Sequence, residues 1–382
     1  MAIARELKRR FPGLEIAVVE KEREPGRHAS SRNSGVIHAG FYYSPDSLKA
    51  RLTARGNRLL KRFCAERGVP VRESGKVVVA KHEQELPTLR LLYERGQKNG
   101  VELKLLSEKE LKELEPNART SGYALFSPHT ATVDPRAVCQ ALYQELLELG
   151  VHFYLSTTFP DFPHPYRYLV NAAGLQALKV ARLFKVGEEY AVVPFKGLFF
   201  RYTGAYPPVT RAVYPVPHLK NPFLGVHFTV RSDGSIYLGP TALPVLSLEN
   251  YQGLQGFRLG EFFPLLWNHL NLWLRSEEYR EIAWEELGNL RKKKVIENAG
   301  KLVYDMDRED RWFQKEPAGI RAQLVDRRSF RMVLDFLVLP GKNSLHILNA
   351  VSPAFTSAFS FAEYVVDLIM KDLGVSHALR SS

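Results

Sequence analysis

A strand-like run, Leu14 to Val19, ends on Glu20. It constrains the fold more than any other stretch of the chain. A strand closing on a carboxylate is where a doubly wound nucleotide-binding sheet holds an adenosine ribose through its hydroxyls, and the same charge repels a 2′-phosphate. The segment before it, MAIARELKRRFPG, reads as a helix over Ala2 to Arg10 that Pro12-Gly13 turns into the strand. The strand and glycine turn that introduce such a helix in a nucleotide-binding unit do not precede it in this sequence.

The loop after Glu20 leads into SSRNSGVIHAGFYY, residues 30 to 43. Arg32 can offset phosphate charge, while Asn33, Ser34 and nearby backbone N–H groups can position a pyrophosphate or a flat cofactor ring. Gly35 and Gly40 let the backbone pass close to such a ring. His38 lies between them and can accept a hydroxyl proton while hydride leaves carbon.

Four further stretches carry chemistry. LVNAAG, residues 169 to 174, turns from a strand into small residues, and Ala173 and Gly174 permit close approach of a dinucleotide. GVHFTVRSDGSIYLGP carries a hairpin signal at Asp233-Gly234 and sets His227 and Thr229 on one face. GIRAQ presents Arg321, whose paired donors suit a carboxylate. NAVSPAFTSAFS places Ser352 and Pro353 before a final helix, whose first N–H groups can stabilise negative charge on a reduced cofactor. Each has an ordinary structural reading too: an edge-strand acid, a core histidine, a strand-to-helix turn, a surface hairpin, an ion pair, a capped helix.

Composition narrows the class. With 382 residues and 45% hydrophobic content, the chain can bury a large core in two domains. The formal charge of +12 attracts anions, including acidic substrates or a negative membrane surface. No zinc spacing or RNA-binding signature appears, so neither a metal nor a nucleic-acid partner is expected. Cys64 and Cys139 are the two cysteines, which fits a reducing compartment and excludes a disulfide scaffold. No apolar run is long enough to span a bilayer, and the start does not read as a signal peptide. The expected location is therefore cytoplasmic or peripheral to the inner face of a membrane.

Patterning predicts helices from Ser47 to Cys64, Glu83 to Lys98, Arg136 to Leu149 and Ser357 to Leu373, and one helical region over Gly253 to Asn298. Strands are predicted at Lys76–Ala80, Glu102–Leu106, Phe195–Tyr202, Arg211–Val216, Gly225–Val230, Ser235–Leu238, Arg331–Leu337 and Leu345–Leu348. The expected class is mixed α/β and α+β: a discontinuous, truncated Rossmann-like domain with a mixed, largely antiparallel substrate domain. The first comprises residues 1–75, 130–185 and 315–375; the second, 76–129 and 186–314.

The ordered series EKE, NSGVIHAGFYY, SLKARL, SGKVVVA, SPHTATVDPRAV, VPFKG, YPVP, FLGVHFTVRSDGSIYLGP, AGIRAQ and NAVSPAFTSAFS runs nearly from end to end. It resembles the L-2-hydroxyglutarate dehydrogenase/oxidase family of FAD-dependent oxidoreductases. The resemblance implies FAD as cofactor and oxidation of L-2-hydroxyglutarate, a small dicarboxylate, to 2-oxoglutarate. It implies Glu20 at the ribose; Arg32, Asn33, Ser34 and Gly35 along the cofactor; His38 near the reacting hydroxyl; Arg321 at a carboxylate; and His227 as a second catalytic candidate. The motifs leave the choice of base open. A quinone, an electron-transfer partner or oxygen would reoxidise the flavin, with peripheral membrane contact fitting the positive balance. Another small amino or hydroxy acid is the alternative substrate. Two departures, the opening without a glycine turn and a short segment at 156–168, imply weakened FAD binding, and an inactive homologue or scaffold is the remaining alternative.

Overall fold

The computed structural model describes residues 1–219 and 223–374. Helix α1 (Ala2–Arg10) packs its basic last turn onto acids: Arg10 meets both Glu6 and Asp367 at 2.5 Å. Strand β1 (Ala17–Val19) is shorter than the run Leu14–Val19 suggests, although His152 still donates to the Ile16 carbonyl. Strand β2 (Val36–Ile37) precedes helix α2 (Leu48–Glu66), whose first turn is capped twice. The Ser47 hydroxyl accepts from Ala50 N at 3.1 Å, and the Asp335 carboxylate accepts from Leu48 N and Lys49 N at 2.7 and 2.9 Å. Such caps satisfy N–H groups that have no partner within the helix.

Strands β3 (Val71–Arg72) and β4 (Lys76–Val79) follow. The helix expected from Glu83 is a 3-10 turn at Glu83–Glu85 leading into α3 (Leu86–Lys98). Strand β5 (Lys104–Ser107) runs into α4 (Glu108–Leu114), where Ser107 and Glu110 form a reciprocal capping box. After β6 (Tyr123–Ser127) and β7 (Ala131–Val133), Asp134 caps α5 (Pro135–Glu148) through Arg136 N at 2.9 Å. Strands β8 (His152–Tyr154) and β9 (Leu169–Asn171) and helix α6 (Ala177–Arg182) complete the first half.

The second half begins with β10 (Tyr190–Tyr202), β11 (Ala212–Pro215), β12 (His227–Val230), β13 (Ile236–Gly239) and β14 (Leu243–Pro244). The helical region from Gly253 resolves into three helices: α7 (Leu259–Arg275), α8 (Glu277–Gly288) and α9 (Lys292–Ala299). Ser276 breaks the first pair because its hydroxyl caps Tyr279 N at 3.2 Å. Next come β15 (Phe313–Asp326), β16 (Arg331–Met332), β17 (Leu337–Gly341), β18 (Ser344–Asn349) and α10 (Ala358–Asp372). The strand expected over Arg331–Leu337 is interrupted at residues 333–336. Asn349 Nδ2 draws in the carbonyls of Val333 and Asp335 there, and the Asp335 side chain is committed to α2.

A ten-stranded sheet runs β16-β15-β10-β13-β12-β11-β4-β6-β5, with β14 joined to β10. All its pairings are antiparallel except β11 with β4. The other strands form a parallel pair β1-β8 and two three-stranded sheets, β17-β18-β9 and β2-β7-β3. Among the described residues no strand bridges β1-β8 to β17-β18-β9. Helices α1, α2 and α10 pack together against this side of the molecule, with Phe63 and Phe359 rings 4.9 Å apart. The fold is a mixed α/β one, as the patterning predicts. Both cysteines are free thiols.

Candidate active site

The turn from β2 to α2 is fixed from three directions. His38 N donates to Thr356 Oγ1 at 3.0 Å, and the same hydroxyl donates to Val36 O at 3.1 Å. Asn57 Nδ2, from α2, reaches the carbonyls of Ile37, His38 and His129 at 3.0–3.3 Å. Gly35 adopts φ +71°, and an added Cβ would stand 2.1 Å from Val133 O. Only glycine fits there, because the loop must pass against β7 in the left-handed region. His38 thereby becomes a buried side chain held in place by its backbone, with no hydrogen-bond partner at Nδ1.

Three further basic groups make up a cluster with it. His227, on β12, donates Nδ1–H to Gly225 O at 2.8 Å, which leaves Nε2 as the acceptor. Its ring stacks on Tyr214 with centroids 3.6 Å apart. Lys76, on β4, is 0% exposed, and its Nζ has no hydrogen-bond partner. The ammonium lies 4.4–4.8 Å from the ring centroids of Phe41, Tyr42 and Tyr214. Arg321, on β15, donates from Nη1 to Thr241 O at 3.1 Å and lies 5.2 Å from the Phe223 ring.

The groups feel one another. Burial, then Lys76, then His227 push His38 well below the ordinary histidine value. Burial pushes His227 down to about 3; its bond to Gly225 opposes this, and the Lys76 and Arg321 charges add to it. Burial pulls Lys76 to about 7 and Arg321 to about 10, the latter opposed by Glu286. The tyrosines Tyr42 and Tyr214 are raised by burial. At neutral pH both imidazoles are therefore uncharged bases beside the Arg321 cation and a Lys76 amine that titrates near neutrality, a set suited to taking a proton from a bound anion. Three of these four were candidates on sequence. Lys76 was not: in SGKVVVA it reads as the first residue of a strand, and the three rings that surround it come from elsewhere in the chain.

The other candidates occupy the neighbouring surface. Glu20 receives Glu22 N at 2.9 Å and lies close enough to the Met1 amino group, at the start of α1, to act on it electrostatically. Arg32 donates to the carbonyls of Arg27 and Ala318 at 2.9 and 3.3 Å and lies 4.2 Å over the Tyr251 ring. Asn33 shapes its own loop, receiving Gly35 N at 2.8 Å and donating to Ala29 and Ser30 carbonyls. Ser34 sits partly buried at the entry to β2. Ala173 and Gly174 are exposed, and an added Cβ at Gly174 would meet nothing within 4 Å. Ser352 is exposed while Pro353 is buried, in the loop that reaches His38 through Thr356.

Glu22, His28 and Glu249 come close enough to hold a cation, and one is already there. Lys21 Nζ contacts all three at 2.5, 2.9 and 3.1 Å, so its ammonium takes the central position.

Known proteins resemble the chain over its whole length. The family model described as FAD dependent oxidoreductase matches residues 1–368. The mitochondrial L-2-hydroxyglutarate dehydrogenase of Homo sapiens is 33% identical, covering 97% of this chain and 86% of the human one. The L-2-hydroxyglutarate dehydrogenase of Indibacter alkaliphilus is 32% identical, over 97% of this chain and 96% of its own. Among solved structures, glycine oxidase from Geobacillus kaustophilus superposes with a TM-score of 0.71 at 17% identity, covering 97% and 91% of the two chains. L-alpha-glycerophosphate oxidase from Mycoplasma pneumoniae, solved with FAD bound, gives 0.69 at 21% identity over 96% and 91%. Fold and sequence agree, and the chain belongs to the family of FAD-dependent oxidoreductases.

Proposed function

We propose that the chain oxidises L-2-hydroxyglutarate to 2-oxoglutarate with FAD as the oxidant. One observation carries the reading. His38 and His227, both buried, and the half-buried Arg321 are far apart in sequence yet are linked electrostatically through His227, in a chain whose 31–33% identical relatives bear that substrate's name.

The residues present fit the cofactor. His38 Nδ1 is buried without a partner, the start of α1 lies close to Glu20, and open space lies beside Gly174. Glu20 would hold the ribose hydroxyls. The Arg32–Gly35 loop, Ala173, Gly174, Ser352 and Pro353 would border the dinucleotide and its ring. When bound, FAD supplies an acceptor for the hydride that leaves the substrate carbon.

This chain's own side chains do the rest. Arg321, its fork steadied by Thr241 O, binds the carboxylate next to the hydroxyl-bearing carbon. His38 takes the hydroxyl proton at Nδ1. His227 is fixed by Gly225 and Tyr214 with Nε2 as an acceptor, and it orients the same hydroxyl. Phe41, Tyr42 and Tyr214 keep bulk water from the pocket.

The test is a pair of variants in FAD-supplemented protein. His38→Asn should lower kcat by about 10²–10⁴-fold with little change in KM, whereas Arg321→Met should chiefly raise KM. A His38→Asn enzyme with wild-type kcat would remove the base assignment, and an unchanged KM in Arg321→Met would remove the anchor.

For the electrons' next acceptor we infer a membrane-borne quinone. Helix α7 carries an apolar stripe at Leu259, Phe263, Trp267 and Leu274, each 63–67% exposed. Exposed Arg258 and Arg275 stand at its two ends, as anionic lipid would require.

A further inference from the structure

Lys76 is an expensive residue to keep. An ammonium removed from water and given no carboxylate destabilises the fold that holds it. Among the described residues no carboxylate pairs with Lys76, whose Nζ has no partner, and Glu286 acts on Arg321 only from beyond ion-pairing distance. Three aromatic faces surround Lys76, which offsets part of the cost through the ring quadrupoles. That arrangement holds a cation in place but leaves its hydrogen-bonding capacity unused. Lys76 and His227 lie against one ring, that of Tyr214, at 4.5 and 3.6 Å from its centroid, and both Lys76 and Arg321 act electrostatically on His227. A dicarboxylic acid brings two negative charges, and Lys76 and Arg321 are two basic groups that no described carboxylate contacts directly.

We propose that Lys76 is the second carboxylate contact: it grips the distal carboxylate of the diacid while Arg321 holds the one beside the reacting carbon. The pair thereby sets the preference for diacids over monoacids. This assignment rests on the dicarboxylate reading given above and extends it to a named residue. The cage orients the ammonium, and the substrate's charge completes the ion pair that the protein itself leaves open. A single hydroxyl-bearing monoacid would use Arg321 and the imidazoles but leave Lys76 buried and unpaired.

The test compares binding of two product-like acids, 2-oxoglutarate and 2-oxobutanoate, by calorimetry on the FAD-supplemented full chain. Binding is read without turnover. In Lys76→Met, affinity for 2-oxoglutarate should fall by about 30-fold or more, as expected for losing a charge-assisted pair. Affinity for 2-oxobutanoate should stay within about threefold of wild type, inside one non-essential contact's effect. Equal losses for both acids, or no loss for either, overturn the assignment. A Lys76→Met protein that shifts the flavin absorbance and leaves acid binding intact overturns it too, by putting the ammonium against the cofactor. If wild type itself binds 2-oxoglutarate no better than 2-oxobutanoate, the dicarboxylate reading fails. If wild type prefers the diacid and Lys76→Met keeps that preference, only the lysine assignment fails.

Wild-type protein gives a second measurement that needs no variant. The groups facing Lys76 are His38, His227, Tyr42 and Tyr214. The histidines are shifted down and the tyrosines up, so all four stay neutral from about pH 6 to 9. Over that range affinity for 2-oxoglutarate should weaken as pH rises and Lys76 loses its proton, while that for 2-oxobutanoate stays level. Parallel curves for the two acids would overturn the proposal.

Discussion

His38, His227 and Lys76 tie the stability of the fold to pH through the same burial that fits them for chemistry. A histidine held at about 3 stays neutral in the folded chain while the unfolded chain takes up a proton below about 6.5. The histidine contribution to stability is therefore complete above about 6.5 and is lost as pH falls toward 3, with His38 acting in the same direction. Lys76, at about 7, and Lys49, pulled to about 8 by burial against the opposing charge of Asp335, set a second window. The unfolded lysines hold protons up to about 10.5, so stability also falls as pH drops from there toward 7. Each group contributes at most about 1.4 kcal/mol per pH unit within its window. Urea midpoints followed across both windows should show the alkaline slope shrink in Lys76→Met. An equal slope in wild type and variant would mean that the ammonium is not buried as described.

At the scale of elements, α7 makes the clearest prediction. Its exposed stripe includes Leu266 and Leu270, 41% and 44% exposed, between the more exposed Phe263, Trp267 and Leu274. Vesicles containing anionic lipid should sediment the wild-type chain, and Phe263→Glu with Trp267→Glu should abolish this without changing the melting temperature. Failure to sediment in wild type contradicts the membrane assignment, and a lipid-free dimer broken by the same substitutions would give the face to a second copy.

Elements with strong local signals were legible in the sequence. Ser47 and Asp134 mark helix starts, and Asp233-Gly234 marks the β12–β13 turn, because the residue and its partner lie close in the chain. Strand β15 was not. Pro317 and Gly319 interrupt its pattern, and the structure absorbs them at a register shift opposite Gly197 and Phe199. The break at 333–336 was equally hidden, since it depends on Asn349 and on the end of a helix nearly 290 residues earlier. The same distance rule holds at the site. His38, His227 and Arg321 announce themselves by residue type and setting, whereas Lys76 gains its character from Phe41, Tyr42 and Tyr214.

On the scale of the molecule, the large sheet supplies Lys76, His227 and Arg321 from three of its strands, and the β2–α2 turn brings His38 to them. On the proposed reading the cofactor would lie beside β1 with α1 and β9 and β18 with α10, which belong to two sheets that no described strand joins. FAD is therefore best supplied in excess when activity is measured. The decisive measurement is anaerobic mixing of the FAD-supplemented chain with L-2-hydroxyglutarate while the visible flavin band is followed. The account predicts rapid bleaching by the L enantiomer, little by the D enantiomer, and 2-oxoglutarate formed in proportion to flavin reduced. Bleaching by glycine, sarcosine or glycerol phosphate but not by L-2-hydroxyglutarate would contradict it.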